Sequence, residues 1–208
     1  MRIEDILSLA PVMPVVTIDD PATAVPLARA LAAGGLRAIE VTLRTPAALE
    51  AIAAIAREVP ECVLGVGTVL SERDLHAAAR AGAKFAVSPG STPALLDAAT
   101  PGPLPYLPAI ATAGELMAAM ERGYSVFKFF PAAYAGGPGA LAALAGPFPG
   151  ARFCPTGGID LGSAPSWLGL SNVLCVGGSW VTPRDAVAAG DYARIEGLAR
   201  DAAALRRP

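Results

Sequence analysis

Eight times along this chain a short apolar run gives way to a turn rich in Gly, Pro, Ser or Thr and then to an Ala/Leu-rich helical segment. The apolar runs cover residues 14–18, 38–43, 63–67, 85–88, 106–110, 126–130, 152–155 and 173–176. Their spacing of about 20–26 residues fits one strand, one loop and one crossover helix, so the strands are expected to be parallel with right-handed connections. Eight such units predict an α/β fold, a (β/α)8 TIM barrel. An open doubly wound sheet uses the same units but rarely needs eight of such even spacing.

Start signals at Thr45-Pro46, Ser71-Glu72, Thr92-Pro93 and Thr182-Pro183 and stop signals at Gly34-Gly35, Gly82 and Gly123 punctuate the helical segments. Residues 1–9 are expected to form a short extra N-terminal helix across the bottom of the barrel. No linker, low-complexity tract or charge run interrupts the 208 residues, which predicts a single domain over 1–208.

Composition narrows the function. A balance of 16 Lys+Arg against 18 Asp+Glu, scattered over the chain, implies no nucleic-acid partner. Acids at Glu4 and Asp5 and prolines at Pro11 and Pro14 break any apolar stretch suited to a signal peptide or membrane span, so a cytoplasmic protein with no membrane partner is expected. Cys62, Cys154 and Cys175 lack metal or disulfide spacing and read as small hydrophobes in strands. His76, the single histidine, falls on a predicted helix and reads as solvated or packed, so no metal site is expected.

Two ionisable residues stand inside strands that should be buried on both faces, where a charge is costly unless paired or working. Alternation places Glu40 with Ala38 and Thr42, and Lys128 with Val126 and Phe130, on the barrel-interior faces. Of the 16 basic residues only Lys84 and Lys128 are lysines. A lysine kept among Phe127, Phe129 and Phe130 suggests a task arginine cannot perform, because a desolvated ammonium can release its proton and act as a nucleophile on carbonyls. Glu40 beside it reads as the general acid/base. The plain alternative is a buried ion pair that only fills the interior. Lys84, at a strand start, reads as solvated.

Barrel enzymes carry their chemistry where strands end. There Arg44 and Thr68 offer a guanidinium fork and a hydroxyl to a carboxylate, although each is equally an ordinary loop residue when taken alone. The paired glycines Gly157-Gly158 and Gly177-Gly178, the latter followed by Ser179, let backbone N–H groups converge on a phosphate without requiring a nearby Lys or Arg. Trp167, Trp180 and apolar helix faces are candidates for a subunit interface.

The runs 39–45 (IEVTLRT), 65–70 (GVGTVL), 88–90 (SPG), 127–132 (FKFFPA), 152–159 (RFCPTGGI) and 176–180 (VGGSW), with Gly34-Gly35, give the chain a resemblance over nearly its full length to the bacterial 2-keto-3-deoxy-6-phosphogluconate (KDPG) and 4-hydroxy-2-oxoglutarate (KHG) aldolases. The resemblance implies a homotrimeric class I aldolase without cofactor or metal, acting on a phosphorylated 2-keto-3-deoxy sugar acid to give pyruvate and glyceraldehyde 3-phosphate. It implies Lys128 as the Schiff-base lysine and Glu40 as the proton-transferring residue. Arg44 and Thr68 match binders of the pyruvyl carboxylate, and Gly157, Gly158, Gly178 and Ser179 lie where the phosphate is held. Thr156 matches a residue influencing stereochemical preference, and Pro89 and Phe130 match pocket-lining residues. The chain departs from the familiar pattern at Ala109 and Ala111 (PAIAT for PGIST) and at Ala133 and Ala135, where Glu and Asn are usual. Those departures bear on substrate preference, including KDPG against its galactonate epimer. A phosphosugar isomerase using Glu40 as base, and a phosphosugar-binding barrel without lyase activity, are the rival readings.

Overall fold

A computed structural model describes residues 1–205. Nine short strands follow in chain order: β1 (Val12–Val16), β2 (Ala38–Thr42), β3 (Val63–Gly67), β4 (Phe85–Val87), β5 (Tyr106–Leu107), β6 (Ala109–Ile110), β7 (Val126–Phe129), β8 (Arg152–Pro155) and β9 (Val176–Gly178). All ladders are parallel. The barrel expectation holds as an α/β fold with a curled parallel sheet. Its continuous pairing comes in two segments rather than one closed ring: a six-stranded half-barrel in the order β5-β4-β3-β2-β1-β9 and a three-stranded segment β6-β7-β8. The break lies at Pro108, which has no N–H to donate; β5 before it pairs with β4, and β6 after it pairs with β7.

Side-chain alternation sorts the core into two layers. Ile39, Val41, Val66, Phe127, Phe129 and Phe153 pack outward against the helices. Met13, Ala38, Phe85, Val87, Leu107, Val126, Cys154 and Cys175 form a second cluster inside the curl. Ile6 and Leu7 of helix Ile3–Leu7 join that inner cluster, so the amphipathic N-terminal helix closes the end of the sheet where the strands begin. Burial of each such side chain contributes about 1.5–3 kcal/mol, which fixes the floor under the polar residues above it.

Local signals explain most helix ends. Ser71 and Thr92 accept hydrogen bonds from the N–H groups of Asp74 and Leu95, and Gly82 ends helix Glu72–Ala81 at φ 98°. Two expected start signals act differently. Thr45 spends its hydroxyl on the Ile18 carbonyl, and the helix begins later, at Ala48. Thr182 donates to the Ser179 carbonyl, leaving Pro183 before helix Arg184–Ala189. Trp167 is no surface residue: it is 2% exposed and packs its ring against Phe129. Lys84 and His76 are exposed, the latter beside Glu72 on its own helix. Among the described residues no helix is long and apolar enough to cross a membrane.

Candidate active site

The register of β2 places Glu40 beside Val15 of β1 and Gly65 of β3. That of β7 sets Lys128 between Ala109 of β6 and Cys154 of β8. These two strands lie in different sheet segments, yet the curl turns their interior faces toward each other. Lys128 Nζ and Glu40 Oε1 stand 3.3 Å apart, with their side chains 3% and 1% exposed. Such seclusion strengthens the attraction between the pair and makes any polar atom left without a partner costly. Glu40 Oε2 is such an atom: it is buried and has no hydrogen-bond partner among the described residues.

Of the three phenylalanines around Lys128, only Phe130 shields the amine directly, with its ring centroid 5.3 Å from Nζ. Phe127 and Phe129 belong to the outer layer, as the alternation within the run requires. Interior space for Glu40 is made by Gly67, whose position would put a Cβ within 2.1 Å of Oε1.

Lys128 lines a cavity of about 420 Å3 together with Val15, Thr17, Arg44, Phe130, Thr156, Gly157, Gly158, Gly178 and Ser179. The structure therefore gathers Lys128, Arg44, Phe130, Thr156 and the expected glycine-serine cradle around one space. Glu40 stands behind Lys128 rather than on the wall. Thr68 is also set back: its Oγ1 accepts a hydrogen bond of 3.1 Å from Arg44 Nε, so it braces the guanidinium that reaches the cavity. Thr68 holds this place at φ 59°, the one non-glycine positive φ among the described residues. A β-branched residue there is strained, and strain of this kind gathers at functional sites.

Gly157 and Gly158 follow β8 at φ 103° and 74°, conformations that expose consecutive backbone N–H groups. A bridge between Thr156 and Gly177 holds this turn beside the one that follows β9. Pro89 is half-buried and does not line the cavity. The preceding Ser88 accepts from the Tyr106 hydroxyl at 2.6 Å, and burial pushes the Tyr106 phenol up, which keeps it a donor. Among the departures, Ala109 is fully buried against the Lys128 strand, and Ala133 lies against Gly158, where a Cβ would come within 2.6 Å of it.

Sequence reasoning passed over Thr17, Thr182 and Arg184 on the cavity wall. Arg184 lies shortly after Ser179 in the segment leaving β9, and its place at a strand's C-terminal exit was the available signal. Among the described residues no group of three or more His, Cys, Asp or Glu is arranged to hold a metal ion.

Comparison with known proteins places the chain in a family. The model of the KDPG and KHG aldolase family matches residues 3–198. The KHG/KDPG aldolase of Escherichia coli (strain K12) is 54% identical over 199 residues, which is 96% of this chain and 93% of the relative. The crystal structure of the Legionella pneumophila KDPG aldolase, with pyruvate captured as a covalent carbinolamine intermediate, superposes with a TM-score of 0.96 at 42% identity, covering 98% of this chain and 99% of that one. That of the Zymomonas mobilis ZM4 enzyme with 3-phosphoglycerate gives 0.93 at 49% identity, covering 100% and 98%. With sequence and fold in agreement along nearly its whole length, this chain belongs to the KDPG and KHG aldolase family.

Proposed function

We propose that this protein is a class I aldolase that cleaves 2-keto-3-deoxy-6-phosphogluconate to pyruvate and glyceraldehyde 3-phosphate, and that it also splits 4-hydroxy-2-oxoglutarate to pyruvate and glyoxylate. The observation that carries the reading is the secluded Lys128–Glu40 pair at 3.3 Å, behind a cavity whose wall includes Lys128 itself. Lys128 Nζ, having passed a proton to Glu40, adds to the C2 ketone. Glu40 returns that proton to the hydroxyl of the resulting carbinolamine, which leaves as water and gives an iminium, the electron sink, with Glu40 again a carboxylate. Glu40, directly or through a water, then takes the C4 hydroxyl proton, and the free Oε2 provides a lone pair for it. The C3–C4 bond breaks, its electrons pass to the iminium as an enamine, and the aldehyde departs. Protonation of C3 and hydrolysis of the iminium release pyruvate and restore the amine.

In this reading Arg44, braced by Thr68, grips the pyruvyl carboxylate through charge-assisted hydrogen bonds. The N–H groups around Gly157, Gly158, Gly178 and Ser179 hold the phosphate, while Thr156 and Phe130 shape the wall between the two ends. Binding energy at the phosphate orients carbons several bonds away. Closure into a (β/α)8 barrel belongs to the same proposal, supported by the Thr156–Gly177 bridge and by Pro108 alone separating β5 from β6. The homotrimer rests on family resemblance. Borohydride reduction with pyruvate is expected to add a pyruvyl mass to the peptide containing Lys128, and Lys128→Ala to abolish pyruvate release. An unlabelled Lys128 with activity intact in Lys128→Ala refutes the scheme, and the isomerase and binding-protein readings predict no trapping.

A further inference from the structure

We propose that Arg184 is a specificity-determining residue of this site: an exposed cation beside the phosphate cradle that sets how strongly the enzyme prefers phosphorylated over unphosphorylated substrates. The inference rests on the aldolase reading above and adds to the backbone cradle a side chain which that reading does not use.

Among the described residues, Arg44 and Arg184 are the two arginines on the cavity wall. Arg44 is committed to Thr68. Arg184 has no ion pair or hydrogen bond through its guanidinium among the described residues, although acids surround it. The adjacent Asp185 is occupied by Arg194 at 2.6 Å, and that guanidinium holds the Asp185 carboxyl below the usual carboxylate range. Asp19 and Asp20 share with Arg184 a smaller cavity of about 220 Å3, and neither is paired with it. Arg184 thus stands between two cavities with its charge uncommitted, next to the turn that carries Ser179.

The local fold explains this placement. The Thr182 N–H and hydroxyl both donate to the Ser179 carbonyl, folding the segment after β9 back on itself. Val187 N–H bonds the Pro183 carbonyl, which sets the start of the following helix and keeps Arg184 at the mouth of the cavity. A phosphate monoester near neutral pH carries about −1.5 to −2 charges and three acceptor oxygens, so a guanidinium adds charge-assisted hydrogen bonds to those of a backbone cradle. A guanidinium suits such a group, and it gains little from a ligand whose distal end is a neutral hydroxymethyl.

The test compares wild type with Arg184→Ala, Arg184→Gln and Arg184→Lys, using pyruvate release from 2-keto-3-deoxy-6-phosphogluconate and from unphosphorylated 2-keto-3-deoxygluconate. Arg184 is exposed, so its replacement leaves the core untouched. In Arg184→Ala and Arg184→Gln the preference for the phosphorylated substrate, as a ratio of kcat/KM values, is expected to fall about tenfold, the scale of one charge-assisted hydrogen bond. The loss is expected mainly in KM, inhibition by inorganic phosphate weakens in parallel, and Arg184→Lys recovers part of both. Equal losses on the two substrates, or an unchanged ratio in Arg184→Ala, overturn the role of Arg184 while leaving the aldolase reading intact. A wild-type protein that releases pyruvate from neither substrate and traps none with borohydride overturns both.

Discussion

Placing a methyl group at Gly67 moves the proposed general base without changing any ionisable residue. A Cβ there would lie 2.1 Å from Glu40 Oε1, 2.6 Å from Cγ and 2.7 Å from Cδ. To reach ordinary contact the carboxylate must retreat by at least about 1.3 Å. Glu40 is 0% exposed and is flanked by β1 and β3, so it has no solvent to withdraw into. A shift of that size displaces Oε1 from its present 3.3 Å contact with Lys128 Nζ and from its place behind the cavity. Overpacking of a close-packed interior costs about 1–3 kcal/mol, and for a domain of this size each kcal/mol lowers Tm by roughly 2–4 °C. Misplacing a catalytic group by about 1 Å costs on the order of 100-fold in rate. Gly67→Ala is therefore expected to fold, to melt several degrees lower and to lose about two orders of magnitude in kcat in a lactate-dehydrogenase-coupled assay. Borohydride trapping of pyruvate on Lys128 should remain detectable but slower, since the amine is retained while the carboxylate that takes its proton is displaced. Glu40→Gln, which introduces no clash, should show a loss of similar size. A Gly67→Ala enzyme with kcat within about threefold of wild type refutes the argument that the carboxylate must sit where it does.

Two further predictions concern backbone and burial. At position 68 the positive φ reverses the usual ranking of small residues: Thr68→Gly should be more stable to urea than Thr68→Ala by about 1 kcal/mol. Both variants lose the acceptor for Arg44 Nε and should bind the pyruvyl end more weakly, read as a raised KM; equal stability of the two would remove the strain argument. The Cys62 thiol, raised by burial and secondarily by the Glu61 charge from 9.0 to about 11, should resist alkylation at pH 8 in the folded protein. Between those two values the unfolded chain gives up the Cys62 proton while the folded chain keeps it, so this residue's contribution to stability falls as pH rises from about 9 to 11. Cys62→Ala should flatten that slope in urea titrations, and an unchanged slope would count against it.

Much of the molecule was readable along the chain because the rules that set it are local. A two-residue period decides which face of a strand a side chain occupies, so the inward turn of Glu40 and Lys128, and the outward turn of Phe127 and Phe129, follow from the order of residues. The same holds for the capping of helices by Ser71 and Thr92, and for the left-handed glycines after β8. Local rules carry no distances between remote positions. Glu40 and Lys128 are 88 residues apart, and only the curl of the sheet brings them to 3.3 Å. That curl also sets Thr68 behind Arg44 instead of on the wall, draws Trp167 into the core and carries Arg184 to the cavity mouth with its charge unspent. Each of these depends on how separate strands and loops meet in space, and one-dimensional periodicity contains no such information.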